Sequence, residues 1–219
     1  MKKLFFAAAV LMCSLTAFAQ TKEGTFNILP KAGINISTLS NKDNAKVKVG
    51  FTAGAEAEYQ LTKQLSLSAG AMFSTQGAKS TTVFREVDNT TKEIREVDIK
   101  NTMEFDYINV PILANYYIIE GLAVKLGIQP GFNIVAKRKR TDGVEKESKN
   151  LSDLGVDDRG NRMYIKVRKI DFSIPIGISY EFNDFVVDAR FNLGLTEVAD
   201  LVKSKNRVFQ ITFGYQIDL

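Results

Sequence analysis

The thirteen residues Arg207-Val-Phe-Gln-Ile-Thr-Phe-Gly-Tyr-Gln-Ile-Asp-Leu219 alternate without a break. Phe209, Ile211, Phe213, Tyr215, Ile217 and Leu219 are apolar, whereas Gln210, Thr212, Gly214, Gln216 and Asp218 are polar or tiny. A period of two puts the two sets on opposite faces of one extended strand. In a water-soluble barrel the polar face would be the outer one. In a membrane barrel the apolar face meets lipid and the polar face lines the interior. A last strand that ends on its apolar face fits the closing strand of a membrane barrel.

Seven more stretches carry the same alternation: 28–37, 51–61, 65–74, 105–118, 122–134, 170–182 and 185–194. Phe51, Ala53, Ala55, Ala57, Tyr59 and Leu61 oppose Thr52, Gly54, Glu56, Glu58 and Gln60, and Ile170 to Phe182 opposes its apolar and polar positions as cleanly. Thr62-Lys63-Gln64, Glu120-Gly121 and Asn183-Asp184 are tight connections, while residues 38–46, 75–102, 137–162 and 196–206 are long and polar. Long and short connections therefore alternate. The expectation is an all-β fold, an eight-stranded antiparallel transmembrane β-barrel with long extracellular loops and short periplasmic turns. An apolar face of about eleven residues extends roughly 36 Å, and a tilt near 40° brings that to about 27 Å, the height of a lipid-facing band.

The aromatic residues give a second test. Phe51, Phe73, Phe105, Phe132 and Phe209 should form an outer girdle, and Tyr59, Tyr116, Tyr180, Phe182, Phe185 and Tyr215 an inner one. Within the 75–102 connection, Arg-Glu-Val-Asp occurs at 85–88 and again at 95–98, which reads as a hairpin with its turn near Asn89. Pro30, Pro111, Pro130 and Pro175 all fall inside strands. A closed barrel has no free edge for them, so bulges or ladder breaks are expected there.

Composition sets the compartment. Lys2 and Lys3, the apolar run 4–15 and Ala17-Phe18-Ala19 read as an export signal, residues 1–19, ahead of a barrel domain at 20–219. The remainder contains no Cys, and the chain contains no His or Trp, so disulfides and thiolate metal sites are excluded. The formal charge of +4 falls to +2 without Lys2 and Lys3, too little to argue for nucleic acid. Beyond the signal no run of eighteen apolar residues offers a membrane helix.

The segment Phe105-Asp-Tyr-Ile-Asn-Val-Pro-Ile-Leu-Ala-Asn-Tyr-Tyr117, then Gly127-Ile-Gln-Pro-Gly-Phe132, resembles the PorT-like outer-membrane barrels of Bacteroidota. So do Lys31-Ala-Gly-Ile-Asn-Ile-Ser37, Asp188-Ala-Arg-Phe-Asn-Leu-Gly194 and Asn206-Arg-Val-Phe209, in the same order along the chain. The resemblance implies an eight-stranded barrel in the outer membrane of a Gram-negative bacterium and prolines at 111 and 130. Only some members are tied to secretion. Leu219 departs from the terminal aromatic such barrels usually present to the insertion machinery.

Histidine is the usual base of outer-membrane hydrolases, and its absence removes Ser-His and Asp-His arrangements. The inward positions carry Lys31, Glu56, Glu58, Lys125, Asp171, Glu181, Asp188 and Arg190, read as a lumen charge network because buried charges need partners. Lys137, Arg138, Lys139 and Arg140 lie where the fifth strand leaves the membrane, a candidate contact for lipid phosphate. Asp157–Asn161 lacks the spacing of a calcium loop and reads as a turn. No cofactor, catalytic or metal site is expected. The partners expected are outer-membrane lipid, the barrel-insertion machinery and a protein met by the extracellular loops. The function expected is a non-enzymatic outer-membrane barrel with a filled lumen. Its alternatives are an accessory part of a secretion or transport assembly and a periplasmic lipocalin-like barrel around an apolar ligand, with the two faces exchanged.

Overall fold

The computed structural model describes residues 23–40, 45–87, 94–142, 145–151, 167–199 and 202–219. The reading of 1–19 as an export signal, the turn near Asn89 and the turn at 157–161 lie outside these residues. The described chain forms β1 (Phe26–Leu39), β2 (Ala45–Thr62), β3 (Leu65–Val87), β4 (Ile94–Asn109), β5 (Ile112–Ile119) and β6 (Leu122–Asp142). It continues with β7 (Glu145–Asn150), β8 (Ile170–Phe182), β9 (Phe185–Ala199), β10 (Val202–Tyr215) and β11 (Ile217–Asp218). Every pairing is antiparallel. Counting β4 with β5 and β10 with β11, and setting aside β7, which pairs only with the end of β6, eight staves close into a ring, because β1 pairs β2 on one side and β10 and β11 on the other. The strand anticipated from the C-terminal alternation is thus the one that seals the barrel.

Each proline sits at an interruption in a ladder. Pro111 separates β4 from β5, and pairing with β3 passes from Met72↔Asn109 directly to Ala69↔Ile112. Pro130 lies across from the same gap, between Asn109↔Gly131 and Ile112↔Ile128. The carbonyls at the break remain in use: Gly70 N donates to Pro111 O at 3.1 Å and Val110 N to Pro130 O at 2.8 Å. Pro30 faces the interruption between β10 and β11, and Pro175 the one between Leu126↔Ile176 and Gln129↔Ser173. A missing N–H is tolerated because no ladder bond is asked of it.

The faces are those of a membrane barrel. Ile176 is 46% exposed and Ile178 54%, whereas Glu56 and Asp188 are each 1% exposed. A soluble lipocalin-like barrel would require the reverse. Phe51 and Phe73 touch at one rim with ring centroids 5.4 Å apart, and Phe185 meets Phe213 and Tyr215 at the other at 5.4 and 5.3 Å. Phe105 does not join a girdle. It has the parity of Tyr107 and Asn109, opposite to the exposed Ile108, and is buried inside the barrel.

The long connections are more ordered than their polar sequences suggest. β3 and β4 remain paired from Met72↔Asn109 up to Val87↔Ile94, and β6 continues to Asp142, where β7 folds back on it. The staves of the membrane band thus run on as hairpins at one end, while 62–65, 119–122 and 182–185 turn tightly at the other. Asn183 and Gly121 take positive φ in two of these turns.

Ile176 faces lipid in the middle of β8, where an arginine costs about 2–4 kcal/mol. Ile176→Arg is therefore expected to lose most of its refolding yield while Ile176→Leu keeps it, judged by the different gel migration of boiled and unboiled samples. Equal yields would place Ile176 away from lipid.

Candidate functional site

The interior is filled in tiers. Nearest the tight turns, the Tyr117 hydroxyl lies 2.7 Å from Glu58 Oε1 and 2.7 Å from Glu181 Oε1, and Ser66 Oγ donates to Glu58 at 2.5 Å. One phenol from β5 thereby joins acids of β2 and β8 across the lumen.

The next tier is the charge cluster. Lys31 Nζ donates to Glu56 Oε2 at 2.7 Å and stands 3.6 Å from Asp188. Arg190 donates to Glu56 Oε1 at 3.0 Å and to Asp188 at 2.8 and 3.2 Å, and Lys125 Nζ stands 3.4 Å from Asp188. Three bases and two acids from β1, β2, β6 and β9 meet with essentially no exposure. The strand pattern makes this fit. Lys31 is opposite Gly54 and Gly214, Glu56 opposite Gly70, and Lys125 and Arg190 on either side of Gly177. A Cβ at Gly177 would lie 2.6 Å from Ala189 O and 3.2 Å from the Arg190 stem, so this glycine gives Arg190 its room.

Above the charges lies a layer of amides and hydroxyls. Asn35 Nδ2 donates to Ser74 Oγ at 2.8 Å, Asn192 Nδ2 to Gln210 Oε1 at 3.2 Å and Gln129 Nε2 to Ser173 Oγ at 3.3 Å. A small polar cavity opens here beside Gln76, Asn109, Gln129, Asp171 and Asn206. The lumen is then closed by an apolar cap of Leu39, Ala78, Phe105, Tyr107, Leu151 and Val198. Leu151 reaches it from beyond β7, its N–H donating to Ala136 O at 3.0 Å.

The eight expected lumen charges therefore separate. Lys31, Glu56, Lys125, Asp188 and Arg190 come together; Glu58 and Glu181 pair one tier away through Tyr117. Asp171 joins neither group. It accepts from Thr196 Oγ1 and, at 3.0 Å, from Asn206 Nδ2, with no ion pair among the described residues. Its parity is inward, but it lies six residues along β8 from Gly177, the position that pairs with Lys125 and Arg190, out of the bases' reach. The basic run 137–140 also divides, because it continues β6 as a strand. Arg138 donates to Asn101 Oδ1 at 3.0 and 3.2 Å on the inward face, whereas Lys139 donates to Glu104 at 3.1 and 3.3 Å on the outward one. Tyr117 as a linker and Leu151 as a plug were not singled out from the sequence. Tyr117 is legible from its strand as an inward aromatic, but the acids it joins come from β2 and β8, one strand beyond its neighbours β3 and β6; Leu151, one apolar residue in a polar connection, carries no periodic signal.

A closed ring of eight staves, greasy outside, charged and filled inside, defines a transmembrane β-barrel. The chain belongs to the outer membrane protein beta-barrel domain family, whose model matches residues 18–200. It is thus an outer-membrane barrel of the Gram-negative type, and the closing strand lies beyond the matched stretch. Among solved structures it is similar to Ail, the attachment invasion locus protein of Yersinia pestis, at 18% identity and a TM-score of 0.42, over 89% of this chain and 99% of that one. It is also similar to Neisserial surface protein A at 13% identity and a TM-score of 0.42, over 90% of this chain and 100% of that one. No curated protein matches the chain.

Removing one member of the charge cluster strands the others in the lumen. Glu56→Gln leaves three bases to one acid and should lower unfolding stability in detergent by about 3–5 kcal/mol, the usual cost of breaking a buried pair. Glu181→Gln keeps a side chain that can hydrogen-bond Tyr117 and should cost about 1 kcal/mol or less. The urea midpoints of the two refolded variants check this, and equal midpoints would contradict the tiered arrangement.

Proposed function

We propose that this protein is a non-enzymatic, sealed outer-membrane barrel that displays ordered β-hairpins as a binding or structural surface. The observation behind it is the combination of a lumen filled tier by tier with strands β3–β4 and β6–β7 that run on past the membrane band. Eight staves enclose an interior only just wide enough for side chains, and here acids, bases, amides and an apolar cap occupy it. In this reading residues 1–19 export the chain, the tight turns face the periplasm and the long hairpins face outward. Within the barrel family it stands with the PorT-like members, on the segments quoted above. The machinery that inserts barrels is its partner in assembly, and the hairpins are where a protein or lipid partner meets it. No residue is assigned a catalytic role, since the inward acids are taken up by bases and hydroxyls.

Reconstituted in a planar bilayer, the protein is expected to show no steady ohmic conductance across a range of voltages. A stable open channel from the unmodified protein would overturn the sealed-lumen reading and favour a transport role.

A further inference from the structure

The extension of the barrel beyond its membrane band brings together lysines that are far apart in the sequence. Lys46 of β2 and Lys79 of β3 are direct cross-strand partners, and Lys46 Nζ lies 3.4 Å from Thr81 Oγ1 on the same face. Lys79 pairs with Thr102 of β4, which pairs with Lys139 of β6; one step along, Thr81 pairs with Lys100, which pairs with Thr141. Lys137 follows on β6 opposite Glu104. Ala78 and Ala136, adjacent in sequence to Lys79 and Lys137, pack into or against the apolar cap, so strict alternation turns Lys79, Lys100, Lys137 and Lys139 outward.

Five lysines thus share one outward face across four neighbouring staves. At the level of these lysines the acids of that face are Glu104, already held by Lys139 at 3.1 Å and Lys48 at 3.7 Å, and Asp106 below it; Glu96 and Asp98 occupy the same strand parity farther out on β4. Like charges placed directly opposite each other in a sheet are destabilising, as at Lys46 and Lys79, unless an anion lies between them. Thr81, Thr102 and Thr141 alternate with the lysines and add hydroxyl donors.

Position selects the anion. Phe73 and Ile134 belong to the lipid-facing surface, and Lys79 and Lys137 follow them by six and three residues. At strand rise and a tilt near 40° the lysines stand roughly 8–15 Å past the girdle, over the headgroup layer and on the side turned toward lipid rather than over the mouth. We propose that Lys46, Lys79, Lys100, Lys137 and Lys139 form a docking face for the phosphate groups of the phosphorylated glycolipid of the outer leaflet. This rests on the outward orientation of the long hairpins proposed above. It replaces the contiguous run 137–140 by a face read across strands, in which Arg138 has no part.

The test uses the full mature chain in nanodiscs with fluorescent lipopolysaccharide as the probe. Retention should be strong at low salt and fall as salt screens it. The triple variant Lys79→Ser, Lys100→Ser, Lys139→Ser should lose about tenfold or more of the retention, while Lys63→Ser at a tight turn should lose none. Chemically dephosphorylated lipopolysaccharide should be retained as poorly as the triple variant retains the native one. Unchanged retention by the triple variant, provided its unboiled form still migrates as folded, would overturn the proposal, as would equal retention of the dephosphorylated lipid. Stronger binding of soluble polyphosphate than of the glycolipid would reassign the face to a free polyanion. Orientation is read separately by labelling Lys79→Cys in intact cells with an impermeant maleimide. Labelling supports outward hairpins; no labelling with intact retention in nanodiscs would mean that the orientation fails while the face still binds phosphate.

Discussion

A charged group taken out of water is retained only if an opposite charge and enough hydrogen bonds meet it, and everything inside this barrel follows from that requirement. Glu56, Asp188, Lys31, Lys125 and Arg190 cannot be separated without leaving an uncompensated ion in a narrow, closed space. Their contacts cross the lumen: Arg190 and Glu56 are 134 residues apart in sequence and 3.0 Å apart in space. The cluster therefore ties the first two staves to β6 and β9, bracing a ring whose backbone bonds alone join only neighbours. Lipid supplies no hydrophobic drive between staves, so this polar interior is what distinguishes one closed arrangement from others with the same apolar exterior.

Side-chain volume is the matching constraint. An eight-stave lumen cannot take an arginine opposite another large residue, and the registers show how the conflict is avoided. Lys31, Glu56, Lys125 and Arg190 each have glycine as a cross-strand neighbour. Slipping one strand by a single residue would turn its glycines outward and drive its apolar residues into the charges. Register is consequently fixed from inside the barrel by charge and room, and from outside by lipid.

Much of this was readable before any coordinate, for a physical reason. A period of two is a local property, so Phe209 to Leu219, Phe51 to Leu61 and Ile170 to Phe182 each declare a face without reference to the rest of the chain. Once the faces are set, the inward charges and glycines follow. What local pattern cannot carry is height along the barrel axis. Asp171 has the same inward parity as Asp188 yet lies too far along the stave to reach a base, and only the register of β8 against β9 tells them apart. Phe105 stands at the outer end of its alternating stretch, 105–118, where a rim aromatic is expected, although its parity with Tyr107 points it inward. The order in β3, β4 and β6 beyond the membrane was hidden for another reason: outside lipid both faces of a strand are wetted, and the alternation that marks a strand fades.

That same fading separates two kinds of polar surface on the protein. Inside, the charged groups of the central cluster meet one another across the lumen and are tied to fixed positions on the staves. On the hairpin extension the lysines of β2, β3, β4 and β6 outnumber their described acids, and the sheet holds them at fixed spacing where a loop would let them spread apart. A flexible basic loop would relax its repulsion by moving away. A sheet continuous with a membrane barrel cannot, because its strands are paired from Val87↔Ile94 down to the lipid-facing residues. In the reading proposed above, anions from outside offset the repulsion that the fold maintains, and these lysines stand over the phosphate layer of the membrane.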